Sequence, residues 1–373
     1  METLKKTKTK KTRKKKPKYY SLNRILETNS TYNVIFGERS NGKTYSVLEY
    51  GIKQFMENKS QIGIIRRWQE DIRGKRASGI FSALIVDGSI ERITKGKYTG
   101  VHYYSSKFYL CNYNDDGKPL YNDFDLLGHT FALSDTEHNK SISFPNIRTI
   151  LFDEFLTRQI YLQDEFILFM NTISTIVRQR SDVKIFMLGN TVNKFCPYFN
   201  EMGLKHIQKM KQGTIDIYTY GDSKLKVSVE YCNPTTNTKE SNFYFAFDNP
   251  KLNMITSGSW ELDIYPHLPL KYKPKDILLS YFIKFDGMIF QCEILDLENE
   301  LITYIHEKTT DIQSPDDIVY SLEYSHKLCY NRNIFRPTTE IGKKILWFFT
   351  NEKVFYQNND VGDTIHNYLK VCR

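Results

Sequence analysis

Paired cysteines, long apolar runs and, over one stretch, acidic residues are what this chain of 373 residues lacks. Its six cysteines, Cys111, Cys196, Cys232, Cys292, Cys329 and Cys372, are scattered, with no CxxC pair and no histidine at metal-ligand spacing. That pattern argues against a disulfide framework and a zinc site, and predicts reduced, inert thiols in an intracellular protein. No stretch approaches the roughly 18 apolar residues of a membrane span. Neither a membrane segment nor a membrane partner is therefore assigned. Within residues 1–18 the only acid is Glu2, against ten Lys or Arg between positions 5 and 18. This segment alone accounts for the chain's formal charge of +9, and the remaining body is formally neutral. No apolar run follows these charges, so a secretory signal is not expected. Too polar to bury a core, residues 1–18 read as a solvated arm attracted to polyanions. Nucleic acid is the first candidate. A solubility or localisation role and an anionic membrane surface stay open.

What the chain does hold is 40% hydrophobic residues with 14% aromatics, enough to fill two ordinary cores. Strand and helix signals alternate from residue 33 to about 191, and no internal repeat is evident. YNVIF (32–36) is an apolar run ending at Gly37. Beyond Gly42, the residues Tyr45, Leu48, Ile52 and Phe55 keep to one helical face until NKS (58–60) breaks it. IGIIRRW (62–68), HTFALS (129–134), RTILFDEF (148–155) and VKIFMLGNT (183–191) read as further buried strands. Leu162, Phe166, Phe169, Met170, Ile173 and Val177 mark a helix from Leu162 to Arg180. Residues 100–111 with the turn-rich NYNDDGKPLY (112–121) read as an antiparallel hairpin inserted between core strands. The alternation predicts an α/β fold with a helix-covered, mainly parallel sheet. The expected division is a disordered basic tail (1–18), a phosphate-binding domain (19–205), a linker (206–235) and a smaller α/β domain (236–373). In the last, DILLSYFIKFDGMIFQCEILDL (276–297) spells two strands turning at Asp286-Gly287.

The string Gly37-Glu38-Arg39-Ser40-Asn41-Gly42-Lys43-Thr44 fits GxxxxGK[ST] at every position. Glycines let the backbone fold round phosphate oxygens, and the helix that follows offers unpaired N–H groups and its positive dipole end. Lys43 is expected to reach the β- and γ-phosphates of ATP, and Thr44 to coordinate Mg²⁺. Hydrolysis also needs a carboxylate for the metal and another for water. TILFDEF supplies adjacent acids after a buried strand, with Asp153 for the Mg²⁺ shell and Glu154 as general base. Asn190, closing FMLGN, is a candidate sensor of the γ-phosphate or the water, or a strand-end cap. Arg178 and Arg180 end this helix, where either could serve as an arginine finger on a neighbouring subunit's nucleotide. Helix C-termini favour arginine for dipole reasons alone.

These residues carry a family resemblance. FGERSNGKTY, IIRRW, HNKSISFPNIRTILFDEF and TIVRQRSDVKIFMLGNTVNKFCPYF are similar to segments of the DNA-packaging ATPases of phi29-type tailed phages, within the wider terminase-like group. SYFIKFDGMIFQCEILD and NEKVFYQNNDVGDTIHNYL match less strongly, and the likeness spans about residues 30–370. It implies a P-loop ASCE ATPase working as a homo-oligomeric ring, a pentamer by resemblance. Such a ring, at the portal of a procapsid, threads double-stranded DNA inward by ATP hydrolysis, in the host cytoplasm and transiently at the procapsid vertex. A packaging RNA is an open partner. By the same resemblance Lys43 and Thr44 sit on phosphates and Mg²⁺, Asp153 and Glu154 form the hydrolytic pair, and Arg180 is the trans finger. Lys140, in HNKS, falls where the family places a basic residue acting across the subunit boundary; read from the residues alone it is a loop lysine. Arg66 and Arg67 fall near the nucleotide or DNA face, with their role open. The basic tail departs from the family pattern.

The resemblance further implies a C-terminal RNase H-like domain without its nuclease site. LLSYFIKF contains no acid, Asp286 belongs to the turn, and Glu293 and Asp296 could be surface residues, so the carboxylates that a two-metal nuclease needs are not gathered. No cleavage activity is expected. The competing readings are another nucleic-acid-dependent P-loop ATPase, such as a helicase or DNA-transfer pump, and a nucleotide-binding scaffold without turnover.

Overall fold

The computed structural model of the protein describes residues 19–135, 142–157, 161–191, 196–233, 265–268, 271–297, 300–312, 314–323, 326 and 329–372. Near-continuous apolar runs become strands buried on both faces: β1 (Tyr32–Gly37), β2 (Gln61–Arg66), β6 (Leu126–Ala132), β7 (Ile147–Asp153), β8 (Lys184–Asn190) and β10 (Leu225–Tyr231). They lie parallel in the order β6-β2-β7-β8-β1-β10. Antiparallel strands extend both edges: β3 (Gly100–Tyr104), β4 (Lys107–Tyr113) and the short β5 (Pro119–Leu120) beyond β6, and β9 (Ile215–Tyr220) beyond β10.

Helices α1 (Asn23–Glu27), α2 (Lys43–Asn58), α3 (Gly74–Ser78), α4 (Ser82–Val86), α5 (Ser89–Ile93) and α6 (Glu165–Val177) accompany these strands. α2 starts at the phosphate loop, and its Val47, Leu48, Ile52 and Phe55 share one buried cluster with Ile35, Ile62 and Ile64 of the sheet. Burying side chains of this size contributes about 1.5–3 kcal/mol each. α2 ends where Lys59 turns left-handed (φ 61) and returns its N–H to the Phe55 carbonyl.

The described residues fall into two compact units: those within 1–155, 168–190 and 210–259, and those within 156–167, 191–209 and 260–373. The second unit holds α7 (Pro197–Glu201) and a sheet of β11 (Ile277–Phe285), β12 (Met288–Leu297), β13 (Glu300–Lys308), β14 (Val319–Ser321), β15 (Tyr330–Asn331) and β16 (Val354–Tyr356). Its order is β15-β14-β11-β12-β13-β16, with β11, β12 and β13 antiparallel and β14 parallel to β11. β11 and β12 turn at Asp286 (φ 54) and Gly287 (φ 72), as the sequence predicts. Amphipathic helices α8 (Glu340–Thr350) and α9 (Asn359–Cys372) set Ile345, Phe348, Val361, Ile365 and Tyr368 against Tyr281, Ile283 and Phe290. Among the described residues no helix is long and apolar enough to cross a membrane.

Three expectations are corrected. The expected linker at 206–235 instead forms β9 and β10, and β10 pairs along its length with β1. Val227, Val229 and Tyr231 are buried there, and Gly213 and Gly221 occupy left-handed turn positions before and after β9. A single boundary at 205/206 is likewise replaced by a chain that alternates between units. The expected antiparallel hairpin is present between β2 and β6 in sequence, turning at Ser105 and Ser106, both left-handed, and it extends the sheet at its edge; NYNDDGKPLY makes a second turn into β5. Finally, α6 is shorter than the predicted 162–180. The Glu165 carboxylate accepts from Leu162 N–H at 2.8 Å at its start, and Arg178 (φ 48) stops it.

Candidate active site

In an open parallel sheet, ligands meet the carboxyl ends of the strands, and there β1, β2, β7 and β8 deliver Gly37, Arg66, Asp153 and Asn190. Gly37 has φ 151, and a Cβ placed there would lie 3.0 Å from Cys232 Cβ. Only glycine allows that close approach of β10 under the loop. Ser40 (φ 61) and Gly42 (φ 92) complete the bend into α2. Lys43 is buried, its Nζ donating to the Glu38 carbonyl at 2.6 Å, Asn41 Oδ1 at 3.2 Å and Asn190 Oδ1 at 3.4 Å. Burial pushes its pKa down, opposed by neighbouring negative groups that include Asp153 and Glu38.

Asp153 stands across two strand pairings from the loop, yet Thr44 Oγ1 donates to its carboxylate at 3.1 and 3.2 Å. Burial raises the Asp153 pKa, with the Arg66 guanidinium as the largest opposing influence. Arg66, closing β2, reaches both acids: Nη2 lies 2.9 Å from Asp153 Oδ2 and Nη1 lies 2.8 Å from Glu154 Oε2. Arg67 donates to the Glu154 carbonyl at 3.2 Å and the Phe155 carbonyl at 2.8 Å. The open role of this arginine pair thus resolves into one residue on the carboxylates and one on the backbone that carries them. Glu154 itself is left-handed (φ 62), and its side chain is 63% exposed.

A cavity of about 480 Å³ joins these groups; its lining includes Arg39, Ser40, Asn41, Gly42, Lys43, Thr44, Asp153, Glu154 and Asn190. Glu38 contributes through its carbonyl. Arg178 and Arg180 do not line it. Arg180 is engaged within its own unit, its guanidinium donating to the carbonyls of Val177 (3.1 Å), Pro145 (3.0 Å), Ile147 (2.7 Å), Phe144 (3.1 Å) and Ile176 (2.7 Å). Arg178 is exposed and donates to the Ile142 carbonyl at 3.1 Å. Lys140 lies outside the described residues. Sequence reasoning missed Tyr19, Tyr45, Ala83 and Asp87, which also line the cavity. Tyr45 adjoins the GKT string and could have been flagged; the others reach the site only through tertiary folding.

A phosphate-loop strand separated from the acidic strand by one further strand, itself ending in a polar residue, defines a P-loop protein of the ASCE class. Within that class the chain belongs to the podovirus DNA encapsidation protein (Gp16) family, whose model matches residues 14–212. The DNA packaging protein of Bacillus phage phi29 is 28% identical over 185 residues, covering 48% of this chain and 49% of the relative. That of Bacillus phage B103 is 25% identical over 183 residues, covering 48% and 50%. The chain thus spans about half the length of these relatives. Two solved structures share the fold. The bacteriophage Phi-29 viral genome packaging motor assembly has a TM-score of 0.59 at 18% identity, covering 95% of this chain and 99% of that one. The Phi-28 gp11 DNA packaging motor has a TM-score of 0.52 at 19% identity, covering 95% and 96%.

Proposed function

We propose that the protein hydrolyses ATP to drive double-stranded viral DNA into a preformed capsid. The observation that carries this reading is the meeting of Thr44 with Asp153, 3.1 Å apart across 109 residues of sequence, beside the buried Lys43 ammonium. That donor set suits a Mg²⁺ ion, which takes one or two protein oxygens and completes its shell with phosphate and water. Thr44 and Asp153 would hold it. When bound, it supplies charge neutralisation at the phosphate oxygens. Lys43 would exchange its present carbonyl and amide partners for β- and γ-phosphate oxygens, with Asn190 beside them as the polar sensor. Glu154 takes the proton from the attacking water once its carboxylate leaves Arg66.

In this reading the working form is a homo-oligomeric ring, at the portal of a procapsid in the host cytoplasm, with packaging RNA as a candidate adaptor. A finger from Arg178 or Arg180 and a basic residue at Lys140 act on the next subunit's nucleotide. Arg180 would first have to leave the carbonyls it now engages, whereas Arg178 gives up one. ATP-dependent DNA uptake into matching procapsids tests the proposal: the wild type should package and Lys43→Ala should not. Uptake unaffected by Lys43→Ala would overturn it. Small amounts of the correct arginine variant should also poison wild-type rings.

We also infer an RNase H-like second unit without nuclease activity. Three antiparallel strands followed by parallel β14 and β15 support the fold reading. For the activity, the Glu293 carboxylate is already occupied, accepting from Tyr272 Oη at 2.5 Å and Gln291 Nε2 at 2.7 Å, with His306 Nε2 at 3.8 Å. Metal-dependent nicking of plasmid, lost on Glu293→Gln, would contradict it.

A further inference from the structure

The cavity lining holds two chemically different sets of groups. One is the phosphate loop with Asp153, Glu154 and Asn190; Tyr19, Tyr45, Ala83 and Asp87, with Leu188 and Gly189, make up the rest. Asp87 sits between α4 and α5 and is tied to the phosphate-loop helix, because its Oδ2 accepts from Tyr45 Oη at 2.5 Å and Tyr45 directly follows Thr44. Its Oδ1 accepts from Ser89 N–H at 3.0 Å. Slight burial works against ionisation, but the hydrogen bonds from Tyr45 and Ser89 hold the Asp87 carboxyl below the usual carboxylate range.

An ionised carboxylate repels phosphate oxygens and accepts from hydroxyl groups, and its two oxygens offer about four acceptor sites, more than Tyr45 and the N–H and hydroxyl of Ser89 fill. In a nucleoside triphosphate the exposed hydroxyl donors belong to the sugar. Sequence gave no hint of this residue, since Asp87-Gly88 reads as an ordinary turn between short helices.

We propose that Asp87 reads the ribose hydroxyls of the bound nucleotide and so sets the sugar preference of the site. The inference rests on the nucleotide reading given above. It differs from a purely local role for Asp87, holding the first turn of α5, in predicting selectivity as well as stability.

The test is equilibrium binding of ATP and of 2′,3′-dideoxy-ATP to the full chain with Mg²⁺. A hydrogen bond to a charged acceptor corresponds to roughly a tenfold preference or more, so wild type should bind ATP about that much more tightly. Asp87→Ala should abolish the preference by weakening ATP while leaving the dideoxy nucleotide unchanged. Asp87→Asn, which keeps an acceptor oxygen and the shape of the side chain, should retain part of it. Equal affinity of wild type for both nucleotides, or equal weakening of both by Asp87→Ala, would overturn the ribose reading and leave the nucleotide site standing. If wild type bound neither, the nucleotide reading would fall and this inference with it.

Discussion

Glu154 holds a left-handed backbone conformation (φ 62) that costs a residue with a side chain about 1 kcal/mol or more. The cost is met by fixed neighbours: Arg67 donates to its carbonyl, and Phe155 N–H donates to the Leu188 carbonyl at 3.1 Å. The bend turns the Glu154 carboxylate out into the cavity while Asp153 stays buried. Replacing Glu154 with Gln should reduce ATP turnover by about 100-fold or more, since a general base contributes that much. Retention of ATP on a filter should be unchanged. A loss of binding instead would mean that the residue serves the loop rather than the water. Arg66 is held between both acids, and Arg66→Ala leaves Asp153 buried beside one less cation. A denaturant melt should show a loss of roughly 3 kcal/mol, the range for breaking a largely buried pair. The Asp153 pKa should rise further, moving the acid limb of the ATPase profile upward.

Among the elements, α6 is anchored at its C-terminal end by Arg180, which ties the last turn to the carbonyls of Phe144 and Pro145 and of Ile147 at the start of β7. Arg180→Ala should therefore lower the melting temperature by several degrees, a shift that a solvent-facing finger would not produce. On β6, His129 lies against the Phe144 ring at 5.1 Å, and burial together with Lys107 lowers its pKa to about 4. The unfolded chain takes up a proton near pH 6.5 while the folded one does so only near pH 4. Stability present above pH 6.5 is thus lost as pH falls through this window. His129→Phe should flatten that part of a stability-versus-pH curve.

Much of this was legible because it is local. The bend from Gly37 to Thr44, the helix after it and the acids closing β7 are each written in consecutive residues. Strand neighbours are not. That Arg66 faces Asp153 follows from β2 pairing with β7, and the assignment of 215–231 to the first sheet follows from β10 pairing with β1. Neither partner is near in sequence, so these pairings are not written in either segment alone. The same limit hid Arg180's carbonyl partners and Asp87.

For the whole molecule, the described chain begins against the phosphate loop. Tyr20 N–H donates to the Asn41 carbonyl at 2.9 Å, and Ser46 Oγ donates to the Tyr20 carbonyl at 2.6 Å. Residues 1–18, expected as a basic tail and lying outside the described residues, carry the formal excess of +9 and precede this anchor. Phosphate contacts release counterions and steepen the salt dependence of binding. Deleting residues 1–18 should therefore flatten the slope of nucleic-acid affinity against salt, measured by titration; an unchanged slope would assign the arm to another partner.

A crystal structure with a slowly hydrolysed ATP analogue and Mg²⁺ tests the central claim most directly. The account predicts a γ-phosphate on Lys43 and a metal ion bridging it to Thr44 and Asp153. A nucleotide bound elsewhere, or a bound triphosphate whose metal ion ignores Asp153, would contradict it.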